Sequence, residues 1–174
     1  MIFAVVGPSG AGKDTLLAGA LAARPDLRIV RRAITRPTEA GGEDFEGVTE
    51  AEFHRRVACQ DFALTWAAHG LHYGIPRDQV SGPADVVFNG SRAALPEAMR
   101  VFPALRVILV TAPDATLAAR LASRGREPAA DIAARLSRAA FTLPDGITAT
   151  TVVNDGSPAE GVARLLAALQ PVRA

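Results

Sequence analysis

Residues 7 to 15 read GPSGAGKDT and stand between an apolar run, Ile2 to Val6, and a helix-forming stretch, LLAGALAA. A phosphate-binding loop has two glycines with four residues between them, the second followed by Lys and then Ser or Thr. Gly7, Gly12 and Lys13 fit that pattern, and Asp14 occupies the hydroxyl position. Such a loop works where the chain leaves a strand and enters a helix, because backbone N–H groups and the helix amino terminus converge there on an anion. The short apolar run reads as a buried parallel strand, and the helical stretch continues until Arg24-Pro25 stops it. This strand-loop-helix unit predicts a doubly wound parallel α/β sheet, with ligands bound beyond the carboxyl ends of its strands.

The rest of the chain is consistent with that fold. Apolar segments at Leu27 to Ile34, Ala84 to Phe88, Arg106 to Thr111 and Thr150 to Val153 read as further strands, with helices between them. Thr49 with Glu52 has the pattern of a capping box, Pro113 opens a helix through Arg124, and Pro158 opens the last helix. Residues 62 to 75, FALTWAAHGLHYGI, read as a small hairpin or irregular insert outside the main sheet.

Composition limits the function. The chain has 174 residues, 49% hydrophobic and 21% charged, enough for one well-buried core and a single domain over 1–174. A net charge of +1 creates no field for bulk nucleic-acid or membrane binding, so phosphate recognition must come from local clusters. Nineteen residues are Lys or Arg, and Lys13 alone is a lysine. Arginine-rich coding thus leaves one compact ammonium, at the position where a phosphate loop needs a point charge and not a planar guanidinium. Cys59 is the only cysteine, which excludes a disulfide framework within the chain; it reads as a buried small residue. The start MIFAVVG has no basic leader, so no targeting segment is read and a cytoplasmic location is expected. His54, His69 and His72 have no metal-ligand spacing. Trp66 reads as packing, and Arg100, Arg106 and Arg164 as solvated faces.

Together GPSGAGKDT, ITRP at 34–37, FALTW at 62–66, GLHYG at 70–74, FNGSR at 88–92, RLASRGRE at 120–127 and VVNDG at 152–156 carry a resemblance that covers nearly the whole chain. In order and spacing they resemble the guanylate-kinase branch of the nucleoside-monophosphate kinases, and within it the ribose 1,5-bisphosphate phosphokinases. The resemblance implies a P-loop kinase with an acceptor-binding insert at about 35–80 and a lid at about 120–135. It implies ATP as donor, Mg²⁺, and a small phosphosugar as acceptor, giving phosphoribosyl diphosphate in support of phosphonate catabolism or of phosphoribosyl diphosphate and NAD biosynthesis. An ordinary nucleoside-monophosphate kinase and a non-enzymatic guanylate-kinase-like binding module are the alternatives.

The expected site follows. Gly7, Pro8, Ser9, Gly10, Ala11, Gly12, Lys13, Asp14 and Thr15 form the nucleotide loop. By resemblance, Arg120 and Asn154 flank the nucleotide, Asp155 lies beside Asn154, and Arg124 and Arg135 belong to the catalytic lid, where Arg126 adds a charge. Arg36 and Tyr73 match residues that hold the acceptor phosphate, while the second arginine of that pattern falls at Glu39. Asn89, Ser91 and Arg92 follow a strand end and are candidates for the sugar. Where guanylate kinases read the base with two acidic residues, this chain has Leu64 and Asn89. Without acceptors for the guanine N–H donors, at about 1–3 kcal/mol for each unpaired buried group, a baseless acceptor fits better. A bare carboxylate beside triphosphate would be repelled, so Asp14 is expected to face Mg²⁺ through water, with Thr15 supplying the hydroxyl. An anionic phosphate acceptor needs no general base, which agrees with the lack of an obvious one.

Overall fold

The structure is a computed structural model that describes residues 1–37, 43–123 and 142–170. Along the chain run β1 (Ile2–Val6), α1 (Lys13–Ala23), β2 (Arg28–Ile29), β3 (Ala33–Ile34), β4 (Glu46–Gly47), α2 (Glu50–Ala58), β5 (Phe62–Ala68), β6 (Leu71–Pro76), β7 (Val86–Asn89), α3 (Leu95–Val101), β8 (Arg106–Thr111), α4 (Asp114–Ser123), β9 (Thr150–Val153) and α5 (Pro158–Ala168).

The main sheet is parallel throughout, in the order β2-β7-β1-β8-β9. With a neighbour on each side, β1 is apolar along its length, as a strand covered on both faces must be. Alternation sends its side chains to two cores. Phe3 and Val5 pack with Leu16 and Leu17 of α1 and Leu165 of α5, while Ala4 and Val6 pack with Phe88, Leu95 and Ala98 on the opposite face. Because β1 lies between β7 and β8, the loops after these strands meet at a topological switch point, where such sheets bind ligands.

The segment predicted as one strand from Leu27 to Ile34 is two. In the main sheet β2 pairs with β7, and β3 pairs with β6 in a second sheet of order β4-β3-β6-β5. Arg31 and Arg32 mark the crossing. There the Arg31 N–H donates to the Gln79 side chain at 2.8 Å and leaves the ladder. The expected insert is an antiparallel hairpin of β5 and β6, part of that second sheet. His69 and Gly70 make its two-residue turn with φ of 53° and 73°, the left-handed pair that such a hairpin requires.

Helix starts follow local chemistry. Thr49 accepts from the Glu52 N–H at 3.1 Å, but the Glu52 carboxylate turns to Arg55, so only half of the predicted box forms. A complete box stands at Ser157 and Glu160, before α5. Cys59, expected inside, is exposed after the last turn of α2, with the Arg55 guanidinium 3.8 Å from its Sγ. A nine-residue helix has only Phe53 facing the core, so its carboxyl end stays in solvent.

Candidate active site

The loop from Gly7 to Gly12 leaves β1 and becomes the amino terminus of α1. Gly12, at the N-cap, has φ 87°, a left-handed value that side-chain-bearing residues adopt only with strain. Space is short as well, because a Cβ there would lie 2.5 Å from Asn154 Nδ2. Asn154 follows β9, is 5% exposed, and donates from Nδ2 to the Ala11 carbonyl at 2.8 Å. It therefore holds the loop from behind. From the cavity side, Lys13 Nζ donates to the Gly7 and Pro8 carbonyls at 2.9 and 3.2 Å. Arg120 of α4 lies behind Gly12, and its Nη1 is buried without a hydrogen-bond partner among the described residues. A curled main-chain strip, an ammonium at its mouth and a buried guanidinium N–H in want of an acceptor suit a polyphosphate.

Next to the loop is a cavity of about 480 Å³. Gly7, Pro8, Ser9 and Lys13 line one end, and Trp66, Ala67, His69 and Tyr73 of the hairpin line another. Asn89, Ser91 and Arg92 line it from the end of β7. The structure thus brings Tyr73, Asn89, Ser91 and Arg92 together with Lys13, as the sequence suggests. Ser91 Oγ is buried without a hydrogen-bond partner among the described residues, and Arg92 Nη1 donates to the Thr142 carbonyl at 3.5 Å. Arg36 is not in this lining; its guanidinium lies over the Phe45 ring, 4.2 Å from the centroid. Leu64, at the position that the resemblance pairs with a base-reading acid, is 2% exposed and packs in the core.

Two residues of the cavity go beyond the sequence reading. Trp66 is part of the core and also of the cavity wall, and its ring stacks on Tyr73, its cross-strand partner, with centroids 5.2 Å apart. Arg32 was not singled out at all. It is 6% exposed yet lines the cavity, with its guanidinium 5.1 Å from the Tyr73 ring and 5.7 Å from the Trp66 ring. The signal for it is the Arg-Arg pair interrupting an apolar strand, since two charges at a sheet crossing need a reason to be inside.

A chain of polar contacts links this arginine to the loop. Arg32 pairs with Glu43, the Asn89 amide donates to Glu43 at 3.2 Å, and the same amide donates to Asp14 at 2.9 Å. Asp14, in the first turn of α1, is thereby turned toward the end of β7. Asn89 separates two carboxylates with a neutral donor. Asp155, beside Asn154, is engaged by Arg164, whose hydrogen bond holds its carboxyl below the usual range. Arg124, Arg126, Arg135 and Glu39 lie outside the described residues. Thr15 follows Asp14 within α1 and is exposed.

The parallel sheet, the glycine loop ending in Lys13 and the flanking cavity define a P-loop kinase. By fold the chain is similar to the guanylate kinase of Anaplasma phagocytophilum, with a TM-score of 0.67 at 18% identity over 97% of this chain and 84% of that one. It is also similar to a gluconokinase of Sinorhizobium meliloti, at TM-score 0.53 and 18% identity over 96% and 90% of the two chains. No protein-family model matches the sequence. Among curated proteins it is 50% identical to "Ribose 1,5-bisphosphate phosphokinase PhnN" of Ruegeria sp. (strain TM1040), over 99% of this chain and 93% of that protein. A protein of the same name from Pseudomonas fluorescens (strain SBW25) is 46% identical over 95% and 92%. A "Bifunctional ribose 1,5-bisphosphokinase-thymidine phosphorylase" of Cupriavidus necator is 46% identical over 97% of this chain, which spans 29% of that longer protein. The chain belongs to the ribose 1,5-bisphosphate phosphokinase family.

Proposed function

We propose that this protein transfers the γ-phosphoryl group of ATP to the 1-phosphate of ribose 1,5-bisphosphate, giving 5-phosphoribosyl 1-diphosphate and ADP. The observation that carries this reading is the cavity itself. Its loop end holds Lys13, and Tyr73, Asn89, Ser91 and Arg92 line the space beside it, with no carboxylate among the described residues that line it to read a guanine edge. Membership of the family supports the same acceptor.

The roles follow from charge and position. Gly7 to Gly12 and Lys13 receive the donor phosphates, with Lys13 exchanging its loop carbonyls for phosphate oxygens. Arg120 adds its buried N–H to the donor side. Phosphoryl transfer asks chiefly for in-line positioning and neutralised charge, so a rigid loop and cations suffice. Tyr73, Ser91 and Arg92 hold the acceptor, and Arg36, Arg124, Arg126 and Arg135 supply positive charge to its reacting phosphate. Mg²⁺, when bound, would supply positive charge to the donor phosphates; Asp14, through water, and the Thr15 hydroxyl are the groups that would hold it. Asn89 keeps Asp14 aimed. The acceptor phosphate is already anionic, so no side chain has to remove a proton.

An acceptor panel with ATP and Mg²⁺ tests the assignment. Ribose 1,5-bisphosphate should be used, with equal ADP and 5-phosphoribosyl 1-diphosphate formed, and GMP should be used poorly. Far better use of GMP would overturn the acceptor and leave only the kinase class.

A further inference from the structure

We infer that Arg32 holds the non-reacting 5-phosphate of the acceptor and thereby selects a sugar bisphosphate over a monophosphate, an inference that rests on the acceptor reading above. A guanidinium that is 6% exposed and lines a cavity is expensive to keep inside by comparison with an apolar residue of the same size. Stability alone gives no reason for it.

Three observations give it a ligand. The guanidinium is fixed against the paired rings of Trp66 and Tyr73, 5.7 and 5.1 Å from their centroids, which occupy a face and leave its edges for planar recognition of an anion. Among the described residues only part of that fork is used: Nη2 meets Glu43, whereas Nε is buried with no hydrogen-bond partner there. Position completes the case. Transfer takes place at the loop, beside Lys13, so the 1-phosphate must lie at that end, and the second phosphate of an extended acceptor falls toward the hairpin, where Arg32 stands between β2 and β3. Glu43 balances its charge, and the Asn89 amide that donates to Glu43 also donates to Asp14 at the start of α1.

The test compares kcat/KM for ribose 1,5-bisphosphate and for ribose 1-phosphate in the wild type, Arg32→Lys and Arg32→Gln. The bisphosphate should lose about ten- to a hundredfold in both variants, the loss of one charge-assisted hydrogen-bond pair, while ribose 1-phosphate changes by less than about threefold. Equal losses on both acceptors would make Arg32 a structural pillar and overturn the inference. A second readout does not depend on turnover. Trp66 is the only tryptophan and lies beside this guanidinium, so ribose 5-phosphate added without nucleotide should shift its emission in the wild type and not in Arg32→Lys. An unchanged response in the variant would also overturn it. If Arg32→Gln fails to fold, Arg32→Lys, which keeps the charge beside Glu43, decides alone. If the wild type does not phosphorylate the bisphosphate, the acceptor reading fails, and the Trp66 titration still decides whether Arg32 binds a sugar phosphate.

Discussion

Lys13 touches main-chain carbonyls of its own loop, at Gly7 and Pro8, and makes no part of either core. Replacing it should therefore spare the fold and remove charge from the reacting phosphates. For Lys13→Ala, kcat should fall by about a hundredfold or more, the scale on which single preorganised donors act, with Tm close to that of the wild type. Near-normal turnover would end the kinase assignment. Asp14 is the second residue to test. Its carboxylate accepts at 2.9 Å from Asn89, which lines the cavity. Asp14→Asn should raise the Mg²⁺ concentration needed for half-maximal rate more than it weakens nucleotide binding; a superimposable Mg²⁺ titration would remove Asp14 from the metal. The anomaly at position 14 was legible in the sequence. The partner of its carboxylate was not, because Asn89 is 75 residues away and only the sheet brings them together.

At the scale of elements, α5 and the turn before it position the loop. Asn154 reaches from the end of β9 to the Ala11 carbonyl, and Gly161 on α5 gives it room, since a Cβ there would lie 2.6 Å from Asn154 Oδ1. Resemblance had put Asn154 beside the nucleotide; its observed contact is with the loop. Asn154→Ala should leave a buried carbonyl unpaired and cost about 1–3 kcal/mol in urea unfolding, with weaker ATP binding than the stability loss alone explains. Unaltered affinity would mean that the loop keeps its shape unaided. Strands β1, β8 and β9 were legible residue for residue, because β1 is apolar throughout, β8 is an apolar run between Arg106 and Thr111, and β9 is built wholly of β-branched residues. The split of β2 from β3 was not. Two-residue strands are defined by the partners they find, β7 for one and β6 for the other, and not by their own side chains. For the same reason the hairpin was legible from GLHYG, but the pairing of Trp66 with Tyr73 that shelters Arg32 was not.

At the scale of the whole molecule, Asp85 joins distant parts of the chain. It accepts from the terminal ammonium of Met1 at 2.7 Å and pairs with Arg24 at the end of α1. The Met1 hydrogen bond, followed by that of Arg24, holds its carboxyl below the ordinary range. A depressed folded value means that its contribution is complete above the unfolded value and is lost as pH falls through the folded one. Asp85→Asn should thus lower Tm at neutral pH and flatten the acid limb of a Tm-against-pH curve; parallel curves would show that the junction carries no stability. Among the described residues no helix is long and apolar enough to cross a membrane. The solitary lysine has a consequence of another kind. The chain contains one ε-amino group, and it stands at the mouth of the phosphate loop. An amine-acylating reagent can therefore modify only one side-chain amine, and the rate of that single covalent reaction, followed by intact mass, becomes a clock for how often the site is occupied.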